Sequence, residues 1–443
     1  MKVGFAAVTH PDYGGGTVDG IINGAVENLV RRSLEAVRPE PASFNTDEHA
    51  MAAGKFLARS DADCIVLLFA TWAECPVIMS FIREIEHMPL LIWGFPMYKT
   101  PGGGMASTGS YVTYAMFKGV LDRAGYAYKG ILADTDDPSA LDGVRNFAAA
   151  AGAYQRLKRS RIGLVGYTSM GIYTGTFDHV LMRVRIGPEV HHIDTYSFLN
   201  IASAVPDGDA LETAELYRAA ADIDPDIPDG DIMKVSGMYG AIQKLKRDMR
   251  LDAVNIKCQY ELSKEYGMVA CVPLSLAADN GIVSSCEGDV LNTVSMLTLS
   301  LLTDGGAVTY GDSIHHEDNV LTLSSCGFSP YGMSGPGKPK IRKFMPNRGF
   351  AGLLSSFTLK PGRVTVMRLI EDVGDYHMLF FTGEALESEP REGYFPAVRV
   401  RLDGNIDGLT ANYAGQHFAL CYGDQSEKIT DLARILKIKA VRV

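Results

Sequence analysis

The sequence predicts an α/β protein: two Rossmann-like parallel-sheet α/β domains followed by a β-rich, barrel-like C-terminal domain. Three observations predict it. Short apolar runs alternate with segments of helical spacing through the first third of the chain, and the same alternation starts afresh at Arg161. After Leu302 the texture changes to Gly- and Pro-rich turns between closely spaced strands.

Taken in order, residues 3–8, 64–69, 90–94 and 130–134 are apolar runs of strand length followed by turn residues. Between them, residues 18–36, 46–58, 75–86 and 111–125 repeat apolar side chains at helical spacing, so the strands should be parallel and covered by helices on both faces. Arg161-Ile162-Gly163-Leu164-Val165-Gly166-Tyr167 reads as the first strand of the second domain, with further strands at 190–193, 253–257 and 268–272. Helices are expected near 176–184, 238–251 and 290–302. The acidic segment 206–231, rich in Asp and Pro around one helix, reads as a solvated surface excursion. Strands at 362–371, 377–382 and 397–402, separated by Pro361-Gly362, Gly374-Asp375 and Asp403-Gly404, indicate an antiparallel sheet or barrel. The expected domains are 1–157, 158–303 and 304–443.

With 443 residues and 47% hydrophobic content, the chain has ample material for cores. A net charge of −10 and a pI near 5.5 argue against a nucleic-acid surface, which needs clustered Lys and Arg, and favour a small-molecule ligand. The apolar run at residues 3–8 is too short for a signal peptide, and no run reaches the roughly 18 apolar residues of a membrane helix. Seven cysteines without a CxxC pair fit a reducing cytoplasm, which is the expected location.

Chemistry concentrates between Lys257 and Cys326. Glu287, in Ser285-Cys286-Glu287-Gly288-Asp289, stands just ahead of the apolar series Val290, Val294, Leu297 and Leu301 and is expected to open a buried helix. There a metal, a cation or the helix N-terminus must compensate its charge. Asp312 and the pair His315/His316 follow. With His417 they offer hard oxygens and an imidazole, a set suited to Mn²⁺ or Mg²⁺ rather than thiolate-seeking zinc. Cys258, Cys271, Cys286 and Cys326 are too widely spaced for a zinc motif and read as buried fillers, with Cys286 a candidate oxidant sensor. Gly14-Gly15-Gly16 and Gly102-Gly103-Gly104 follow strands but match neither GxGxxG nor the Walker pattern, and read as tight turns.

Ile256-Lys257-Cys258-Gln259-Tyr260-Glu261-Leu262, Cys286-Glu287-Gly288-Asp289-Val290, Gly311-Asp312 and Ser325-Cys326-Gly327 resemble the L-fucose isomerase and L-arabinose isomerase superfamily, most specifically in the Cys-Glu-Gly-Asp block. The resemblance extends more loosely over nearly the whole chain. It implies a metal-dependent aldose–ketose isomerase acting through an enediol, with Glu287, Asp312 and His417 where such proteins bind Mn²⁺, and with Glu287 and Asp312 also the acid/base pair. Another divalent metal, such as Mg²⁺, would suit the same set. Many relatives carry His-Cys-Gly where this chain has Ser325-Cys326-Gly327, so a substrate contact at Ser325 is either lost or supplied by His315 or His316. That departure keeps open a metal-dependent epimerase or lyase acting on a sugar derivative, and a non-catalytic sugar-binding protein is the further alternative. Lys257 and Arg183 are candidate contacts for sugar hydroxyls or an anionic substituent, or else ion-pair residues. Trp93 and Tyr98 are candidates for a sugar-stacking wall, or else core packing. Because the family completes its pocket with the first domain of a neighbouring subunit, the resemblance also implies a homo-oligomer, a trimer or a hexamer.

Overall fold

The computed structural model describes residues 1–13, 15–100, 102–344, 351–390 and 395–443; Gly14 of the first glycine run lies outside them. The chain forms two compact units. Met1–Gln155 joins Glu427–Lys437 in the first, and Arg156–Ser426 joins Ile438–Val443 in the second.

In the first unit, the strands Glu35–Val37, Lys2–Val8, Cys64–Phe69, Leu90–Gly94 and Tyr128–Leu132 lie side by side in that order, all parallel. The central strands are apolar throughout because both faces are covered. Along Cys64–Phe69, Val66 and Leu68 face the helices Gly16–Arg31 and Pro138–Leu157. Ile65, Leu67 and Phe69 face Asp47–Ala58, Cys75–Glu84 and Ser110–Ala124, as a period of two requires. The returning segment Glu427–Lys437 is fixed to this unit by Lys129 Nζ, 2.7 Å from the buried Asp431 carboxylate and 3.0 Å from Gly143 O. The run Gly102-Gly103-Gly104 closes a small hairpin between Tyr98–Lys99 and Met105–Ala106. Gly103 (φ +81°) donates to Thr100 O at its tip, so the run serves a turn.

The second unit contains a parallel sheet in the order Glu189–Ile193, Arg161–Val165, Ala253–Ile256, Val283–Cys286 and a closed barrel. Six antiparallel strands complete the barrel ring: Gly362–Glu371, His417–Tyr422, Val308–Glu317, Val320–Ser324, Ala397–Leu402 and Tyr376–Leu386, the last pairing back to the first. Lys439–Arg442 adds in parallel to Tyr376–Leu386, outside the ring. The predicted fold class is therefore observed. Helix Val290–Leu302, found at its expected bounds, is buried almost all round between sheet and barrel, with Ser295 Oγ accepting from Leu369 N at 2.7 Å. Among the described residues no helix is long and apolar enough to cross a membrane.

Two local expectations change. The expected strand at 268–272 is instead the approach to helix Cys271–Asp279. Its apolar residues are buried on every side, so periodicity could not separate helix from strand, and Pro273 falls in the first turn, where a missing N–H costs no helical bond. The acidic segment is no loose loop either. Asp207–Ala220 is a helix with Asp207 and Asp209 in its first turn and a buried stripe of Ala210, Thr213, Ala214 and Tyr217, and Asp222–Ile223 then pairs with Lys340–Lys343.

Trp93 is corrected as well. It is fully buried in the core of the first unit with its ring nitrogen donating to Ala133 O at 3.0 Å, so it offers no face to a sugar. Trp93→Ala should therefore destabilise the protein by about 3–5 kcal/mol. Urea unfolding checks this; a ligand-wall tryptophan would change stability little.

Candidate functional site

The site grows from the turn between the strand Val283–Cys286 and the helix Val290–Leu302. Glu287 and Gly288 are both left-handed, with φ +68° and +70°, a conformation that costs a non-glycine residue on the order of 1 kcal/mol. Glycine is required at 288, where a Cβ would lie 2.3 Å from Tyr167 O. Buried Asn255 holds the turn in shape. Its Oδ1 accepts from Gly288 N at 2.8 Å, and its amide donates to Cys286 O, Asp289 O and Thr293 Oγ1. The turn aims the Glu287 side chain towards the barrel, where Asp312 and His417 are directly opposite each other on neighbouring antiparallel strands.

Glu287, Asp312 and His417 each bring one donor atom to a place where all three lie within 4.8 Å of one another. His417 is fully buried and its Nε2 makes no hydrogen bond, although Asp312 and Glu287 oxygens stand 3.3 and 3.5 Å away. A buried ring nitrogen that makes no hydrogen bond and faces two carboxylates fits a metal-ligand set. Burial by itself would lower the pKa of His417. Asp289 first, then Asp312 and Glu287, outweigh it and hold the imidazole well above its ordinary range. Asp312, with a side chain 30% exposed against 7% for Glu287, is the member nearest solvent.

Behind the triad is a charge cluster that sequence reasoning missed. It is Asp289, not Glu287, that caps the helix, its Oδ1 accepting from Asn292 N at 2.8 Å. Its Oδ2 takes His417 Nδ1 at 2.8 Å and Arg368 Nη1 at 3.1 Å. The same Nη1 donates to His417 O at 2.8 Å, and Nη2 to Thr174 O at 2.7 Å. Complete burial raises the pKa of Asp289, but Arg368 and then His417 more than offset this and keep the carboxyl below its usual range. The signals were present: an aspartate immediately before an apolar helix is a preferred cap, and Arg368, in the apolar middle of the strand Gly362–Glu371, needs a buried partner.

The other expected residues separate. Lys257 ends the strand Ala253–Ile256 at the same carboxyl edge as Glu287. It is fully buried, pairs with Glu261, and lies 4.0 Å from the Tyr167 ring centroid. Arg183 binds Lys158 O and Gly187 O, just ahead of the strands starting at Arg161 and Glu189, and so sits at the opposite edge of the sheet. Ser325 is buried, and its hydroxyl donates to Phe328 O. His315 and His316 are exposed, past a bulge in their strand, and do not join the triad. Tyr98 is half-buried in the small hairpin of the first unit.

Asp289 holds the ring of His417 so that Nε2 faces the carboxylates. Asp289→Asn should retain the cap yet weaken Mn²⁺ binding by about 10- to 100-fold. The measurement is free Mn²⁺ by electron paramagnetic resonance during titration of chelator-stripped protein, and unchanged affinity would deny Asp289 this positioning role.

No protein-family model matches the chain. Curated relatives span most of it. It is 24% identical over 393 residues to the sulfoquinovose isomerase of Alkalicoccus urumqiensis, covering 87% of each chain. It is 24% identical over 383 residues to that of Priestia aryabhattai, covering 85% of this chain and 84% of the relative. To the sulfoquinovose isomerase of Clostridium sp. (strain MSTE9) it is 24% identical over 430 residues, covering 94% of this chain and 93% of the relative.

Proposed function

We propose that this chain is an aldose–ketose isomerase acting on a sugar, with a divalent cation, Mn²⁺ first, held by Glu287, Asp312 and His417. The observation that carries this reading is the buried His417 Nε2, which makes no hydrogen bond and faces the carboxylates of Asp312 and Glu287 at 3.3 and 3.5 Å. The sulfoquinovose isomerases that match along nearly the whole chain support the reaction class, and their name supports a hexose with a sulfonate at C6 as the first substrate to test.

Moving a carbonyl between C1 and C2 requires a proton to leave one carbon and arrive at its neighbour. When bound, the cation supplies charge that polarises the sugar oxygens and lowers the cost of an enediol. Glu287 and Asp312 stand close enough to serve as one acid/base pair, one taking the proton from carbon while the other manages the oxygen proton. His417 stays fixed through Asp289. The left-handed turn and Asn255 hold Glu287 so that its carboxylate needs no rearrangement before transfer.

The test is turnover of sulfoquinovose, beside unsubstituted aldoses, by metal-stripped protein with and without Mn²⁺. A ketose product that needs the cation is expected. Glu287→Gln, assayed at saturating Mn²⁺, should lose about 10²- to 10⁴-fold in turnover, while its thermal unfolding stays close to that of the parent. Retained turnover would remove Glu287 from the chemistry.

We also propose a homo-oligomer, a trimer or hexamer. Tyr173, Val180, Val184 and Tyr196 support it: they are 72–86% exposed, apolar or aromatic, and all on the second unit. Light scattering should find an assembly of at least three chains, and an active monomer at dilution would contradict it.

A further inference from the structure

Cys286 and Cys326, 40 positions apart in sequence, come together beside Glu287. Cys271 Sγ lies 3.8 Å from Cys326 O, beside the Cys286–Cys326 pair. Cys258, Cys271, Cys286 and Cys326 are not in disulfides. Cys286 and Cys326 have their sulfurs 3.8 Å apart. Two thiolates bound at about 2.3 Å to one tetrahedral zinc ion stand about 3.8 Å from each other, so the spacing of this pair matches that of two ligands on one ion. A Glu287 oxygen lies within 4.8 Å of both sulfurs, and the Tyr310 hydroxyl, 2.7 Å from Cys286 Sγ, is placed to donate to a thiolate there. Cys326 is partly exposed, which provides an entry path.

We propose that Cys286, Cys326 and Glu287 form a second cation site, of the soft, thiolate type, that takes a thiophilic divalent ion such as Zn²⁺ or Cd²⁺. Soft sulfur ligands select these ions, whereas Glu287, Asp312 and His417 offer the harder donors suited to Mn²⁺. Binding converts two thiols to thiolates and releases two protons, with no change of oxidation state. Both sites draw on the carboxylate of Glu287, so filling the thiolate site removes a ligand from the other. The chain thereby carries a built-in means of inhibition by zinc-like ions. This last clause rests on the proposed Mn²⁺ site; the thiolate site itself does not.

The experiment is a titration of the reduced, chelator-stripped full-length protein with Cd²⁺, followed by the ultraviolet thiolate-to-cadmium charge-transfer band. One equivalent should produce the band, Mn²⁺ should produce none, and Cd²⁺ should release bound Mn²⁺ seen by electron paramagnetic resonance. Cys326→Ser should weaken Cd²⁺ by about 100-fold or more, since even changes outside the ligand shell cost 10–100-fold; Cys75→Ser, in the first unit, should change nothing. In the unmodified protein Cd²⁺, but not Mn²⁺, should protect Cys326 from alkylation, a readout that needs no variant to fold. Absence of the band, or a band that survives both Cys286→Ser and Cys326→Ser, overturns the site. Mn²⁺ retained at saturating Cd²⁺ overturns the shared ligand. Failure of the isomerase reading would appear separately, as missing turnover with the band intact.

Discussion

The buried carboxylate of Asp289 is the point on which the site depends. One of its oxygens closes the first turn of the helix Val290–Leu302, and the other holds a barrel histidine and a barrel arginine. Sheet, helix and barrel are thereby fastened at a single fully desolvated group. An unpaired charge in such a place would cost several kcal/mol, and removing one partner of a buried pair costs about 3–5 kcal/mol. The cluster is sustained because each charge has a partner of opposite sign and further hydrogen bonds: Arg368 also reaches His417 O and Thr174 O. The cost of burial is met at Asp289, which fixes one nitrogen of His417 while the other faces Asp312 and Glu287.

That division of labour explains why Glu287 is not the cap. A capping carboxylate is satisfied by backbone N–H groups, which would take away its capacity to bind a cation or move a proton. Two left-handed residues in succession place Glu287 outside the helix, facing the barrel strands, while Asp289 takes the cap two residues on. The local strain is tolerated because Asn255 bonds to the turn from several sides and because Gly288 lets Tyr167 O approach. The placing of Glu287, Asp312 and His417 is inherited from backbone conformation and strand register.

The same packing gives Glu287 two kinds of neighbour. On one side are a carboxylate and an imidazole; on the other are two sulfurs, with Tyr310 between them and His417, its ring 5.1 Å from the imidazole in an edge-on arrangement. Hard and soft donors thus border one carboxylate in a water-poor setting, where ligand chemistry more than access decides which ion is held.

The sequence by itself determined the alternation of strands and helices, the barrel strands Gly362–Glu371 and Ala397–Leu402, and the helix Val290–Leu302 to its bounds, because hydrophobic period and turn residues act within a dozen positions. It also marked Glu287, Asp312 and His417, whose residue types suggest hard ligation and whose Cys-Glu-Gly-Asp block carried a family resemblance. Only the tertiary structure decided that Asp289 serves His417, 128 positions away, that Cys286 meets Cys326 across 40, and that Trp93 is core while His315 and His316 point to solvent. Ser325 and Arg183 looked available in sequence and are tied to backbone carbonyls in the fold. The physical reason is range. Periodicity reports which face of an element is buried, but which side chains meet across elements depends on strand register, helix packing and the partner each buried polar group must find, and these are properties of the assembled chain.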